Sequence, residues 1–141
     1  MKIKESVTKI MKKNPRAIAG NTKISEAAEL LKELNIHHLP VTSGRKLIGM
    51  FSYSDLLALD FSAPFNQDAR SVFAVLDSEK HMEEVMTTDL TVLNEKQSIG
   101  EAADLLSTGE FHSLPVVNDA NDLVGIVTST DLIRYLADLC R

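Results

Sequence analysis

The chain nearly repeats itself, and that limits its fold more than any single motif. Sliding it by 75 residues lays Ile24-Ser25-Glu26-Ala27-Ala28-Glu29-Leu30-Leu31 on Ile99-Gly100-Glu101-Ala102-Ala103-Asp104-Leu105-Leu106. The match runs without a gap to His37-His38-Leu39-Pro40-Val41 on His112-Ser113-Leu114-Pro115-Val116, and 11 of 31 positions from Met11/Met86 to Val41/Val116 are identical. One extra residue enters the second copy's turn, Asn118-Asp119-Ala120-Asn121-Asp122, and the register resumes at a shift of 76. Leu47-Ile48-Gly49-Met50-Phe51-Ser52-Tyr53-Ser54-Asp55-Leu56 then meets Leu123-Val124-Gly125-Ile126-Val127-Thr128-Ser129-Thr130-Asp131-Leu132. Such a pattern is a tandem duplication of a unit of about 55 residues. A unit that small buries too little surface to be comfortable alone, so two copies are expected to pack as a pseudo-twofold pair.

Within each copy the periodicities give the order β-α-β-β-α, hence an α+β fold. Short β stretches lie near 16–19 and 91–94. Ile24, Ala27, Ala28, Leu31 and Leu34 recur at helical spacing, which predicts helices over 25–35 and, in the duplicate, 99–109. Ser98 with Glu101 three residues later reads as a capping box. Strands are expected at 38–42, 46–51, 113–117 and 123–127, and closing helices at 53–59 and 129–139. The repeats occupy 5–60 and 82–141, and the segment 61–81 between them matches neither. Phe61, Phe65 and Phe73 fall in or beside that segment, and 71–76 reads as a short helix. The rings either cap the core or form a surface for dimerisation.

Composition narrows the class. The chain has 141 residues, 44% hydrophobic and 25% charged, which is globular rather than disordered. Its one cysteine, Cys140, excludes an internal disulfide and a cysteine-rich zinc site. No apolar run approaches the roughly 18 residues of a membrane span. No apolar core follows Lys2 and Lys4, so a cytoplasmic protein without membrane contact is expected. Residues 1–57 carry ten basic and five acidic groups, and 58–141 carry five and fifteen. Two halves of opposite sign attract each other, or the basic half faces an anionic ligand, or both are solvated helix faces.

The chemistry concentrates where each hairpin ends, Gly49-Met50-Phe51-Ser52-Tyr53-Ser54-Asp55 and Gly125-Ile126-Val127-Thr128-Ser129-Thr130-Asp131. A glycine inside a strand marks close approach of something to the backbone. A helix start offers free N–H groups to a phosphate. The hydroxyls of Ser52, Ser54, Thr128 and Thr130 add donors, and a carboxylate accepts two bonds from a ribose diol. Hydroxyls with a carboxylate therefore suit a nucleotide. Ser52-x-x-Asp55 and Thr128-x-x-Asp131 are also plain capping patterns, each worth about 0.5–2 kcal/mol with no ligand at all.

The duplicated Leu39-Pro40-Val41/Leu114-Pro115-Val116 strand, the Glu-Ala-Ala-x-Leu-Leu helix and the Gly-x-x-Ser/Thr-x-x-Asp junction resemble the CBS domain. The whole chain is similar to a CBS pair, or Bateman module. The second junction follows the family pattern closely, whereas Phe51 and Tyr53 loosen the first. The resemblance implies clefts between the two repeats that take AMP, ADP, ATP or S-adenosylmethionine as a regulatory ligand, with no required cofactor. It assigns the ribose to Asp55 and Asp131 and phosphate to Ser52, Ser54, Thr128 and Thr130. It assigns the base to Thr22, Ala27, Ile36, His37 and His38 in one copy and to Gln97, Ala102, Phe111, His112 and Ser113 in the other. Arg134, one turn past Asp131, is placed to reach a phosphate. Ala58 stands at the matching place in the first copy.

Other classes are less well served by the residues. His37, His38 and His112 have no Asp, Glu or Cys beside them at ligand spacing, so no metal site is expected. No nucleophile, P-loop or catalytic dyad is visible, so no enzyme is expected. Nor is there a recognition helix or basic stripe for nucleic acid. The expected partners are an adenine nucleotide, an unknown protein regulated in trans, and a second copy of the chain. A homodimer would use the central segment and Leu132, Ile133, Leu136 and Leu139. In the competing reading the pair is a ligand-free dimerisation unit whose Ser/Thr–Asp pairs are caps only.

Overall fold

A computed structural model describes residues 4–59 and 69–141, so Phe61 and Phe65 lie outside it. A 3-10 turn at Val7–Lys9 leads into β1 (Lys12–Lys13), β2 (Ile18–Ala19), α1 (Ile24–Glu33), β3 (His38–Ser43), β4 (Lys46–Ser52) and α2 (Tyr53–Leu57). Then come α3 (Ala69–Glu79), α4 (Met82–Val85), β5 (Leu93–Asn94), α5 (Ile99–Ser107), β6 (Ser113–Val117), β7 (Leu123–Thr128) and α6 (Ser129–Leu139). The fold is mixed α+β, and from β2 and from β5 onward each repeat runs β-α-β-β-α as its periodicities predict, with β1 and α4 as additions in the two lead-in segments. Among the described residues no helix is long and apolar enough to cross a membrane.

The two long helices show why the repeat is legible. In α1 the buried residues are Ile24, Ala27 and Leu31, and in α5 they are Ile99, Ala102 and Leu106. Both sets are one face at i, i+3, i+7. Both helices end earlier than their apolar spacing suggests. Asn35 (φ 52°) and Gly109 (φ 79°) turn the chain left-handed after them. Ser98 caps α5, its Oγ accepting the Glu101 N–H at 3.1 Å. The expected return bond is absent, because the Glu101 carboxylate takes the Gln97 side-chain amide at 2.7 Å. Replacing Ser98 with alanine should cost about 1 kcal/mol, read as a lower urea midpoint at unchanged slope.

The strands form two sheets. One has the order β2-β3-β4, with β2 parallel to β3 and Ile18 opposite Val41. The other has the order β1-β7-β6-β5, with β5 parallel to β6 and Leu93 opposite Val116. In it β6 and β7 are antiparallel, with a register shift between Val116 and Val117. The turn with the extra residue is held by Asn118 Oδ1, which accepts the N–H groups of Ala120 and Asp122. Beside it, Lys96 and Asn94 donate to Asp119, and the bond from Lys96 is the main reason its carboxyl is held below the usual range.

The compact units do not follow the chain in order. One holds β5 to α6 together with Arg45–Leu47 and the chain up to Pro15. The other comprises Arg16–Gly44 and Ile48–Leu90. Each repeat thus gives up its lead-in segment. Val7, from the first repeat's lead-in, is fully buried in the cluster of Leu93, Leu114, Val116 and Val127. Met82, its counterpart at a shift of 75, is buried with Ile24, Leu39, Val41 and Phe51. Backbone bonds fix the first of these exchanges: Val7 N–H to Gln97 O at 2.8 Å and Ile99 N–H to Glu5 O at 2.9 Å.

Candidate functional site

Each strand-to-helix junction begins at its glycine. A Cβ on Gly49 would lie 2.5 Å from Met86 Sδ. One on Gly125 would overlap Met11 Sδ and lie 2.9 Å from the Lys12 carbonyl oxygen. The close approach that a strand glycine predicts is therefore made by the exchanged lead-in segment. Met11 and Met86 are equivalent in the repeat, so both units solve the same packing problem in the same way.

The last residue of each strand, Ser52 or Thr128, is also the N-cap of the helix that follows, and both capping boxes form. Thr128 Oγ1 accepts the Asp131 N–H at 3.1 Å, and Asp131 Oδ2 accepts the Thr128 N–H at 2.8 Å. Ser52 and Asp55 repeat this at 3.1 and 2.9 Å. The carboxylates otherwise differ. Asp55 Oδ2 also accepts the Ser52 hydroxyl at 3.0 Å, and its Oδ1 accepts the Thr87 hydroxyl at 3.0 Å. Asp131 Oδ1 has one long contact, 3.5 Å from Arg134 Nη1, whose side chain is 65% exposed. A carboxylate has about four acceptor positions. Asp55 uses three on neighbours, while Asp131 uses two and is 6% exposed, the one buried charged residue of the described chain. Capping and ligand binding therefore do not compete for all of Asp131.

The segment before each Leu-Pro-Val strand lies against its junction. The His37 carbonyl accepts the Tyr53 N–H at 2.9 Å, and the His112 carbonyl accepts the Ser129 N–H at 3.0 Å. Ser113 is paired across the sheet with Thr128, which puts both side chains on one face. Its Oγ is buried without a hydrogen-bond partner. A buried hydroxyl left unpaired is costly, which makes it a place where a donor or acceptor would be welcome. Thr130 and Ser54 are exposed on the first turns of α6 and α2.

The remaining candidates are placed less uniformly. Ala27 and Ala102 are fully buried within the two core clusters and offer no surface to a ligand. Gln97 is already engaged, accepting from Asn94 N–H at 2.8 Å and donating to Glu101. Phe111 packs half-buried against its cluster, and His112 is exposed. His38 opens β3 half-buried. Ile36 and His37 line a cavity of about 900 Å³ with Tyr53, Leu56 and, from α3, Phe73 and Asp77. Thr22 lines a separate pocket of about 300 Å³ with Lys23, Asp77, Lys80 and His81. Sequence reasoning did not find Thr87 or Asp77. Thr87 falls opposite Lys12 in the repeat, so the alignment gave no sign of it.

Comparison with known proteins agrees with this arrangement. The CBS domain model matches residues 7–61 and 82–138. The CBS domain-containing protein YhcV of Bacillus subtilis is 32% identical over 127 residues, covering 90% of this chain and 82% of that protein. Other curated relatives are longer: the chain spans 22% of one and 62% of another. Among solved structures, Arabidopsis thaliana CBSX2 in complex with AMP has a TM-score of 0.79 at 28% identity, covering 96% of this chain and 98% of that one. The CBS domain pair of protein MJ0100, in complex with 5'-methylthioadenosine and S-adenosyl-L-methionine, has a TM-score of 0.73 at 29% identity, with 96% and 98% coverage. With the duplicated junctions, the Leu-Pro-Val strands and these matches together, the chain belongs to the CBS domain family and carries two copies of the domain.

Proposed function

We propose that the chain is a ligand-sensing regulatory module that binds an adenosine-containing ligand at its strand-to-helix junctions and acts on a protein partner in trans, without catalysis of its own. The observation that carries this reading is the state of Asp131. Its carboxylate is buried at a helix start and held in place by its own cap, with acceptor positions left for a ribose diol. Thr128 and Thr130 stand beside it for a phosphate, as does Arg134, which is long enough to swing from its loose contact. The solved CBS pairs with AMP and with S-adenosyl-L-methionine support the ligand class. Asp55 has fewer acceptor positions left, so the second repeat is the stronger site.

A ligand shifts the states of such a module only by its difference in affinity between them, and the partner reads that shift. Calorimetric titration of AMP, then ATP and S-adenosylmethionine, tests the reading. The expected result is saturable heat with about one ligand per chain at the tighter site, with thermal stabilisation of about 2.7 kcal/mol at a hundred times the dissociation constant. No heat and no thermal shift with any of the three would leave the junctions as helix caps and the pair as a dimerisation unit. Self-association is part of the proposal. Ile133, Leu136 and Leu139 are 66%, 60% and 48% exposed along α6, whereas Leu132 faces its own core. A monomer by sedimentation across micromolar concentrations would remove that part.

A further inference from the structure

We propose that Asp77 is a positioning residue for the first repeat: from α3 it lends α1 the N-terminal cap that the repeat lacks, and thereby ties α3 to the Thr22 edge of that repeat's proposed ligand site. The duplication supplies the comparison. In α5 the N-cap is Ser98, whose hydroxyl accepts the Glu101 N–H. The matching residue in α1 is Lys23, which makes no side-chain cap bond. A lysine there has no acceptor for the free N–H groups and puts a cation at the positive end of the helix dipole.

Asp77 makes good both deficits. Its Oδ1 accepts the Ser25 N–H at 3.0 Å, and its Oδ2 accepts the Ser25 hydroxyl at 2.5 Å. An anion at a helix N-terminus is favoured by the dipole. Ser25 itself is matched by Gly100 in the second repeat, which has neither the hydroxyl nor the need for it. The two substitutions that distinguish α1 from α5 at this end are therefore the two that Asp77 answers. Asp77 lies 52 residues from Ser25 and belongs to neither repeat, on a helix that packs along α1. It borders both the pocket that holds Thr22 and the cavity that holds Ile36 and His37. Cap and attachment are one contact, so losing it loosens the α1 edge and α3 together. By linkage, the factor by which docked α3 strengthens a ligand's hold on that edge is the factor by which the ligand favours docking.

The test uses the full chain and hydrogen exchange, comparing the parent with Asp77→Ala, Lys23→Ser and the double variant. Asp77→Ala should speed exchange about tenfold both in the first turn of α1 and along α3. Adding Lys23→Ser restores a local cap in the manner of Ser98. It should return α1 to parental rates and leave α3 fast, a split that a merely stabilising residue would not produce. Unchanged α3 exchange in Asp77→Ala, or recovery of both elements in the double variant, would overturn the proposal. The affinity arm rests on the first repeat binding an adenosine ligand. AMP titrated into variants that carry Asp131→Asn, to weaken the second site, should bind the first repeat about fivefold more weakly with Asp77→Ala and recover with Lys23→Ser. If the exchange pattern is found but no AMP binds the first repeat, the ligand reading of that repeat fails and the positioning role stands. If AMP binds and exchange is unaffected, the positioning role fails.

Discussion

Replacing Asp131 with asparagine is expected to weaken AMP binding at the second repeat by ten- to a hundredfold while the chain stays folded. Asparagine keeps an oxygen for the Thr128 N–H, now at 2.8 Å from Oδ2, so the capping box survives in neutral form. What it loses is the second acceptor and the charge, and a hydrogen bond to a charged group contributes about 1.5–3 kcal/mol. Alanine at the same position removes both roles. It should abolish measurable binding and also cost about 0.5–2 kcal/mol of stability through the lost cap. Paired calorimetry and urea unfolding separate the two effects. Binding by Asp131→Asn as tight as the parent's would mean that the ribose is held elsewhere. The matching Asp55→Asn change should alter binding less, since Ser52 and Thr87 already occupy most of that carboxylate.

Gly125→Ala should destabilise the protein by about 1–3 kcal/mol, and Gly49→Ala by less. Both glycines lie under a methionine of an exchanged lead-in segment, but their surroundings differ in stiffness. At Gly49 the three nearest atoms all belong to the Met86 side chain, which is unbranched and can swing aside. At Gly125 the second nearest is the Lys12 carbonyl oxygen, 2.9 Å away and fixed in the pairing of β1 with β7. Urea midpoints measure the difference. Shortening the methionine provides a control. Met86→Ala should recover most of the Gly49→Ala loss, whereas Met11→Ala should recover only part of the Gly125→Ala loss. Equal costs at the two glycines would mean that β1 yields as readily as a side chain.

What could be read in the sequence was local or duplicated. Ser52-x-x-Asp55 and Thr128-x-x-Asp131 are contacts three residues apart, so their spacing alone specifies the bonds that form. The Leu-Pro-Val strands and the Ile24/Ala27/Leu31 face stand out because they occur twice. Ser98 was half legible: its own cap forms, but the side chain three residues on is claimed by Gln97, a competition that the box pattern does not include. The contacts that stayed hidden span long stretches of chain. Thr87 reaches Asp55 across 32 residues and Asp77 reaches Ser25 across 52, and neither has a counterpart in the other copy. Ala27 and Ala102 show the opposite limit. The family resemblance marks them as site residues, and their full burial shows that position in a motif does not settle what a side chain touches.

The exchanged lead-in segments also bear on inheritance. No single cut through the chain leaves both compact units whole, because one of them draws on the beginning, the middle and the end of the sequence. A recombination event that moved one repeat alone would carry off a body without its buried Val7 or Met82 and leave the complementary defect behind. For gene shuffling the smallest transferable cassette is therefore the pair, and it is as a near-complete pair, 91% of this chain, that it aligns within a relative more than four times its span.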